Sequence, residues 1–256
     1  MCSKMYIPLL KKCLTNLIYG DKETAQSPIT IPFVNLCVSS PMDESKRVLG
    51  EDWSPIAHTT IGMKRLDNLE ECIKDILRDN IPGDLIECGV WRGGACIFMQ
   101  GVLKCKGATN RKVFVADSFE GLPKPDPVYP ADEYDTHYEH NDILAVSLEE
   151  VRENFEKYDL LDDNVVFLQG WFKDTLINAP IDKLAILRID GDMYGSTMDA
   201  LTALYPKLSV GGYVIIDDYG VIEGCRKATM DYREKHGITE YIARIDNCGV
   251  FWRKRI

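Results

Sequence analysis

Nowhere in these 256 residues does the run of roughly 20 apolar residues that a membrane-spanning helix requires occur. The stretch 7–18 is broken by Lys11 and Lys12, so it lacks the uninterrupted apolar region of a secretory signal, and a cytoplasmic location is expected. The nine cysteines (Cys2, Cys13, Cys37, Cys72, Cys88, Cys96, Cys105, Cys225 and Cys248) are odd in number, and no two of them are spaced as Cys-x-x-Cys. Neither a zinc knuckle nor a disulfide framework fits; reduced, mostly core thiols do. Basic charge is short as well, with 30 Lys and Arg against 40 Asp and Glu for a net −10. That balance disfavours nucleic acid and anionic membrane as partners and suits metal ions and small neutral or cationic ligands.

What is present is a chain that can bury a core, since 45% hydrophobic and 27% charged residues are the proportions of a packed globule. Residues 4–19 place Leu10, Leu14, Leu17 and Ile18 at helical spacing, an apolar stripe suited to contact with a second copy of the chain. The stretch that follows, to His58, is rich in Pro, Ser and Asp with little periodicity, so 1–58 is read as an N-terminal helical arm and lid. A stronger helix carries Leu66, Leu69, Ile73, Ile76 and Leu77 and stops at Asn80 and Pro82-Gly83.

From there strand and helix alternate. The runs 84–90, 113–117, 165–168, 184–190 and 213–217 are short, nearly continuous and apolar, as strands buried on both faces should be. One intervening helix carries Met198, Leu201, Leu204, Tyr205 and Leu208 and is expected to stop at Gly211-Gly212; Ser147 with Glu150 forms a capping box that opens another. The runs 241–245 and 250–253 read as a hairpin. Residues 59–256 therefore describe an α/β, Rossmann-like fold, five parallel strands finished by a C-terminal antiparallel hairpin. The segment 118–146, with four prolines, many acidic residues, His137 and His140, is expected to be a lid or binding loop.

The chemistry is expected at the C-terminal ends of the strands. Glu87, Gly89, Val90, Trp91, Gly93 and Gly94 form a turn between strand and helix where the backbone can approach a ligand. A carboxylate there repels a pyrophosphate but can hold an ammonium group. Asp117, ending the next strand, is placed to accept hydrogen bonds from ribose hydroxyls. Together they suggest a nucleoside bearing an amino acid, such as S-adenosylmethionine. Gly170, Trp171 and Phe172 offer either a purine-stacking wall or packing beneath a helix. Asp190 and Asp192 follow one apolar run, and Asp217-Asp218 another. Converging carboxylates need a proton or a cation among them, and all-oxygen ligands favour Mg²⁺, with Mn²⁺ or Ca²⁺ as substitutes. Because Asp190 and Asp192 alternate in strand direction, one of them is expected at the site, and Asp190 is preferred. The alternative, that Asp217-Asp218 caps the following helix, stays open. His58 is placed to line a pocket; His236 reads as structural.

The strings AHTTIGMKRLDN, DLIECGVWRGGACIFM, VADSFEGLP, LRIDGDMYGSTMDAL, YPKLSVGGYVIIDDY and CRKATMDYREKHGI resemble the macrocin O-methyltransferase (TylF/MycF-type) family, over about residues 53–252. The resemblance implies a class I, S-adenosylmethionine-dependent methyltransferase fold with Mg²⁺, acting on a hydroxyl of a small natural product, most often a sugar hydroxyl of a glycosylated secondary metabolite of antibiotic biosynthesis. It implies Glu87, Gly89 and Trp91 at the methionine end of the cofactor, Asp117 and Ser118 at the ribose, and Gly170, Trp171 and Phe172 near the adenosine. Met63 matches a segment closing over the cofactor, and Ser147 a cofactor contact, capping being its plainer role. Asp190, Asp217 and Asp218 match the metal ligands and Asp190 the general base. A non-sugar diol or phenol is the alternative acceptor. The rival classes are a metal-dependent glycosyltransferase using Asp190-Gly191-Asp192, an NAD(P)-dependent oxidoreductase, and a non-catalytic binding protein.

Overall fold

The computed structural model describes residues 2–26 and 39–255. Residues 27–38 of the expected arm, with Cys37, lie outside the described residues. The N-terminal segment forms α1 (Cys2–Leu14), a small antiparallel sheet of β1 (Glu23–Gln26), β2 (Ser39–Pro41) and β3 (Asp52–Trp53), and α2 (Glu44–Leu49). What orders this poorly patterned stretch is a buried guanidinium. Arg47 Nε donates to Asp52 at 2.7 Å, Nη2 to Asp21 and Asp52 at 2.8 Å each, and Nη1 to the Thr15 carbonyl at 2.8 Å. One side of α1 packs within the chain: Ile7, Leu10 and Leu14 are buried in the same core as Phe98 and Val102.

The rest alternates as α3 (Gly62–Arg78), β4 (Asp84–Cys88), α4 (Gly94–Cys105), β5 (Val113–Asp117), α5 (Asn141–Leu144), α6 (Leu148–Lys157), β6 (Val165–Gln169), α7 (Phe172–Thr175), β7 (Leu184–Ile189), α8 (Tyr194–Leu204), β8 (Leu208–Ile216), α9 (Glu223–Lys235), β9 (Ala243–Arg244) and β10 (Val250–Arg253). The sheet order is β6-β5-β4-β7-β8-β10-β9, with β4 to β8 parallel and β10 antiparallel to both β8 and β9. Alternating residues feed two cores. Leu85, Val113, Val115 and Ile215 face α3, α4 and α6, while Ile86, Phe114, Leu187 and Ile216 face α8 and α9. The chain leaves β4 in one direction and β7 in the other, which opens a crevice between their C-terminal ends, the usual ligand site of such sheets.

One boundary differs from expectation. The α8 helix ends at Leu204, and Leu208, Gly211 and Gly212 belong to β8. Pro206 lacks the amide a further helical turn needs, so a short 3-10 turn over Tyr205–Lys207 intervenes.

His58 stands behind the first βα turn and does not line the cleft described below. Its amide donates to the Leu14 carbonyl at 2.8 Å, its carbonyl accepts from Gly94 at 3.0 Å, and its Nδ1 lies 2.7 Å from Tyr158 Oη. Burial, aided by Lys157 and Arg92, brings its pKa down to about 4. A His with a lowered folded-state pKa contributes stability above its unfolded value near 6.5, and that contribution is lost as pH falls towards 4. Discounted for partial exposure, the loss is about 1–2 kcal/mol. Urea unfolding at pH 7.5 and pH 4.5 should therefore show a larger acid loss in the wild type than in His58→Gln; equal losses would contradict this account.

Candidate active site

The crevice is floored by the turn after β4. The Gly89 amide donates to the Ala116 carbonyl at 2.9 Å, and its φ is 87°. A Cβ at Gly89 would stand 1.7 Å from the Asp190 carbonyl oxygen, so only glycine lets β4 and β7 meet here. Trp91, also at positive φ, donates from Nε1 to the Ile143 carbonyl at 3.0 Å and packs its ring 5.5 Å from that of Trp53. It thereby joins the turn to the 118–146 loop and to the N-terminal segment. Asp117 is held by backbone amides, Oδ2 accepting from Val90 at 2.7 Å and Oδ1 from Phe119 at 2.8 Å. Ser118 Oγ donates to the Gly121 carbonyl at 2.7 Å.

Gly89, Trp91, Asp117, Ser118, Trp171, Phe172 and Asp190 all line one cleft. Its other wall comes from Lys124, Asp126, Tyr129 and Asp132 of the loop, facing Asp192, Met193, Ser196 and Asp199 at the start of α8. Met63, Glu87, Ser147 and Gly170 are not among the lining residues. Met63 is half-buried in the first turn of α3. Ser147 is exposed, and its Oγ accepts from the Glu150 amide at 3.1 Å, the capping role. The Gly170 amide donates to the Asp117 carbonyl at 2.9 Å, from just behind the aromatic pair.

Glu87 points away from the cleft, into the sheet. Its carboxylate accepts from Arg188 Nη1 and, at 2.9 Å, from Cys96 Sγ. Burial pushes its pKa up to about 7 against the pull of Arg188. Arg188, 1% exposed near the C-terminal end of β7, also donates to Asp190 Oδ2 at 2.8 Å and to Asp217. Asp217 accepts in addition from Arg65 of α3. Glu87, Arg188 and Asp217 thus form a charged row across three adjacent strands, on the face that packs against α3.

The expected trio of Asp190, Asp217 and Asp218 divides here, with Asp217 on Arg65 and Arg188. The carboxylate oxygens brought within 4.8 Å of one another belong to Asp190, Asp192 and Asp218. Just past the end of β8, the Asp217 amide still bonds the Ile189 carbonyl at 2.9 Å and its carboxylate meets the arginines, while Asp218 joins Asp190 and Asp192. Alternation fails as a guide to Asp192 because β7 has already ended at Ile189. The Met193 amide bonds back to the Gly191 carbonyl at 2.6 Å, and Asp192 has φ 56°, a tight turn that returns its side chain to the cluster. Nor does Asp217-Asp218 cap a helix, since the position before α9 is Ile222.

The cluster is electrostatically unfinished. Burial and the neighbouring Asp190, Asp192 and Asp217 carboxylates raise the Asp218 pKa well above its ordinary value, and its Oδ2 has no hydrogen-bond partner. Burial and Asp190 push Asp192 up to about 7, against a lowering influence of His137. Asp190, Asp192 and Asp218 each offer an oxygen to a common group, a hard donor set that would suit a divalent cation such as Mg²⁺. Three hard oxygen donors, one of them orphaned, match that cation.

An open α/β sheet whose switch-point crevice carries a glycine turn, a carboxylate after the second strand and an acidic cluster opposite is the class I methyltransferase arrangement. Residues 3–254 match the macrocin O-methyltransferase (TylF) family, and the chain belongs to it. It is an S-adenosylmethionine-dependent O-methyltransferase. It is 52% identical over 250 residues (97% of this chain, 92% of the relative) to the 8-demethyl-8-(2,3-dimethoxy-alpha-L-rhamnosyl)-tetracenomycin-C 4'-O-methyltransferase of Streptomyces olivaceus. It is 49% identical over 254 residues (98% and 96%) to the mycinamicin III 3''-O-methyltransferase of Micromonospora griseorubida. The solved structure of the O-methyltransferase NovP superposes with a TM-score of 0.91 at 47% identity, covering 99% of this chain and 100% of that one. A calicheamicin methyltransferase, 20% identical with a TM-score of 0.62 over 84% of this chain and 86% of its own, shares the fold. Family membership removes the glycosyltransferase, oxidoreductase and non-catalytic readings.

Sequence reasoning missed Arg188, Arg65, Tyr129 and Asp132. Arg188 left a signal, as a lone charge inside the apolar run 184–189 demands buried carboxylates. Removing it should leave those carboxylates uncompensated. Arg188→Met is expected to cost about 3–5 kcal/mol in urea unfolding; a loss below about 1 kcal/mol would mean that the row does not need its cation.

Proposed function

We propose that this enzyme methylates a sugar hydroxyl of a glycosylated small molecule of the antibiotic type, with a divalent cation, Mg²⁺ first, held by Asp190, Asp192 and Asp218. The observation that carries the cation is the buried, unpartnered Asp218 Oδ2 among converging carboxylates. The acceptor class rests on the relatives, whose names place their methyl groups on sugars of a tetracenomycin and a mycinamicin. The cleft supports it. Asp126, Asp132, Asp190, Asp192 and Asp199 line the acceptor wall, and Lys173 is already paired with Asp126 at 3.1 Å. With Lys124, Lys173 and the divalent cation offsetting most of those acids, the wall keeps a small negative balance, which favours an uncharged or amino-bearing glycoside.

In this reading Asp117 and Ser118 meet the ribose, Trp171 and Phe172 flank the adenine, and the backbone from Gly89 to Trp91 receives the methionine end. The sulfonium methyl then lies towards Asp190, whose carbonyl abuts Gly89. A divalent ion supplies positive charge that acidifies a neighbouring hydroxyl. Asp190, aimed by its bond from Arg188, accepts the hydroxyl proton as the new O–C bond forms and the S–C bond breaks. The remaining contribution is orientation, with reacting atoms about 3–3.5 Å apart.

Chelation with EDTA should abolish turnover and Mg²⁺ restore it; full activity after exhaustive chelation would remove the cation from the account. Asp190→Asn should bind S-adenosylhomocysteine normally in calorimetry while kcat drops by about 10²–10⁴. A near-normal kcat would move the base role elsewhere, Asp192 being the neighbour to test. In a mass-spectrometric acceptor panel, neutral glycosides should be methylated in preference to nucleotide sugars and simple phenols.

A further inference from the structure

The α8 helix begins directly after the turn that carries Asp190 and Asp192, yet its own sequence supplies no cap. The cap position is Met193, and no side chain there bonds the exposed amides. Amides at a helix start need an acceptor. It arrives from 62 residues upstream, where Asp132 Oδ1 accepts from the Tyr194 amide at 2.8 Å. Its Oδ2 accepts from the Gly195 amide at 2.7 Å. Asp132 is 2% exposed, and burial raises its pKa against the pull of those two amides. The same stretch of loop is fastened twice more, by Tyr129 Oη to Asp199 of α8 and by Asp126 to Lys173 of α7. The Tyr129 ring sits so close to α8 that a Cβ at Gly195 would be 2.6 Å from it.

Asp192 lies two residues before the first capped amide, at φ 56°. Such a turn keeps its shape only while its flanks are anchored. One flank is β7. The other is the α8 N-terminus.

We propose that Asp132 is a positioning residue for methyl transfer: by capping α8 it clamps the 118–146 loop over the acceptor side of the cleft and fixes the 191–193 turn, holding Asp192 beside Asp190. The inference rests on the reading of this cleft as the site of methyl transfer. It assigns the loop a fixed wall instead of a free lid.

The test compares wild type, Asp132→Ala and Asp132→Asn, the last keeping one acceptor oxygen. Three quantities are read: S-adenosylhomocysteine affinity by calorimetry, Mn²⁺ affinity by calorimetry, and the rate of chymotryptic cleavage after the exposed Tyr134 in the loop. Asp132→Ala should leave nucleoside affinity unchanged, weaken Mn²⁺ roughly tenfold and speed loop cleavage by a similar factor, the scale of one lost helix cap. Asp132→Asn should recover much of both. Wild-type Mn²⁺ affinity together with wild-type cleavage in Asp132→Ala overturns the proposal, as does a parallel collapse of all three quantities without rescue by Asn, which would mark a general loss of folding. If the wild type itself binds no Mn²⁺, the cation reading fails, and the clamp stands or falls on the cleavage rate alone.

Discussion

A guanidinium buried in the middle of a parallel sheet has to find carboxylates, and Arg188 finds three: Glu87 on the neighbouring strand, Asp190 above it and Asp217 on the far side. Arg65 reaches the same Asp217 from α3 and Asp246 of the C-terminal hairpin at 3.1 Å. Ion pairs this deep stabilise little in themselves, because desolvation offsets most of the attraction. What they fix is direction. With Glu87 and Asp217 committed to the arginines, Asp190 and Asp192 line the crevice with Asp218 buried beside them, and burial, reinforced by the neighbouring acids, raises the pKa values of all three.

Much of the fold was legible because it depends on local pattern. Five apolar runs, the capping box at Ser147 and the stripe from Leu66 to Leu77 are period-2 and period-3.6 signals that tertiary structure had no reason to override. The turn at Gly89 and the carboxylate at Asp117 were readable for the same reason, since both sit where a strand ends. The failures are of two kinds, local stops read past and contacts made only by the fold. Pro206 cut α8 short and passed Leu208 to β8. Strand alternation was carried past Ile189, where the strand had stopped, and so it chose against Asp192. Arg47 on Thr15 and Asp21, Arg188 on Glu87 and Asp217, and Asp132 on the start of α8 are contacts made by the fold, and no short window of sequence contains both halves of them.

The two sides of the cleft are built from different material. The cofactor side consists of strand ends and the turns directly after them, held by main-chain bonds such as Val90 to Asp117 and Gly170 to Asp117. The acceptor side is a long, proline-interrupted loop of short helical turns whose main-chain bonds stay within the loop, and side chains fasten it to α7 and α8. A side made this way can change its lining residues without disturbing the sheet. That division suits a family whose members carry names of different acceptors.

The central claim is that the row of buried arginines leaves Asp190, Asp192 and Asp218 as a cation site. Anomalous diffraction from a crystal soaked with Mn²⁺ and S-adenosylhomocysteine tests it directly. The account predicts one strong peak within bonding distance of those three carboxylates, with Asp217 still on Arg65 and Arg188. A peak bonded to Asp217 with its arginine contacts broken, or no peak at the sheet edge, would contradict it.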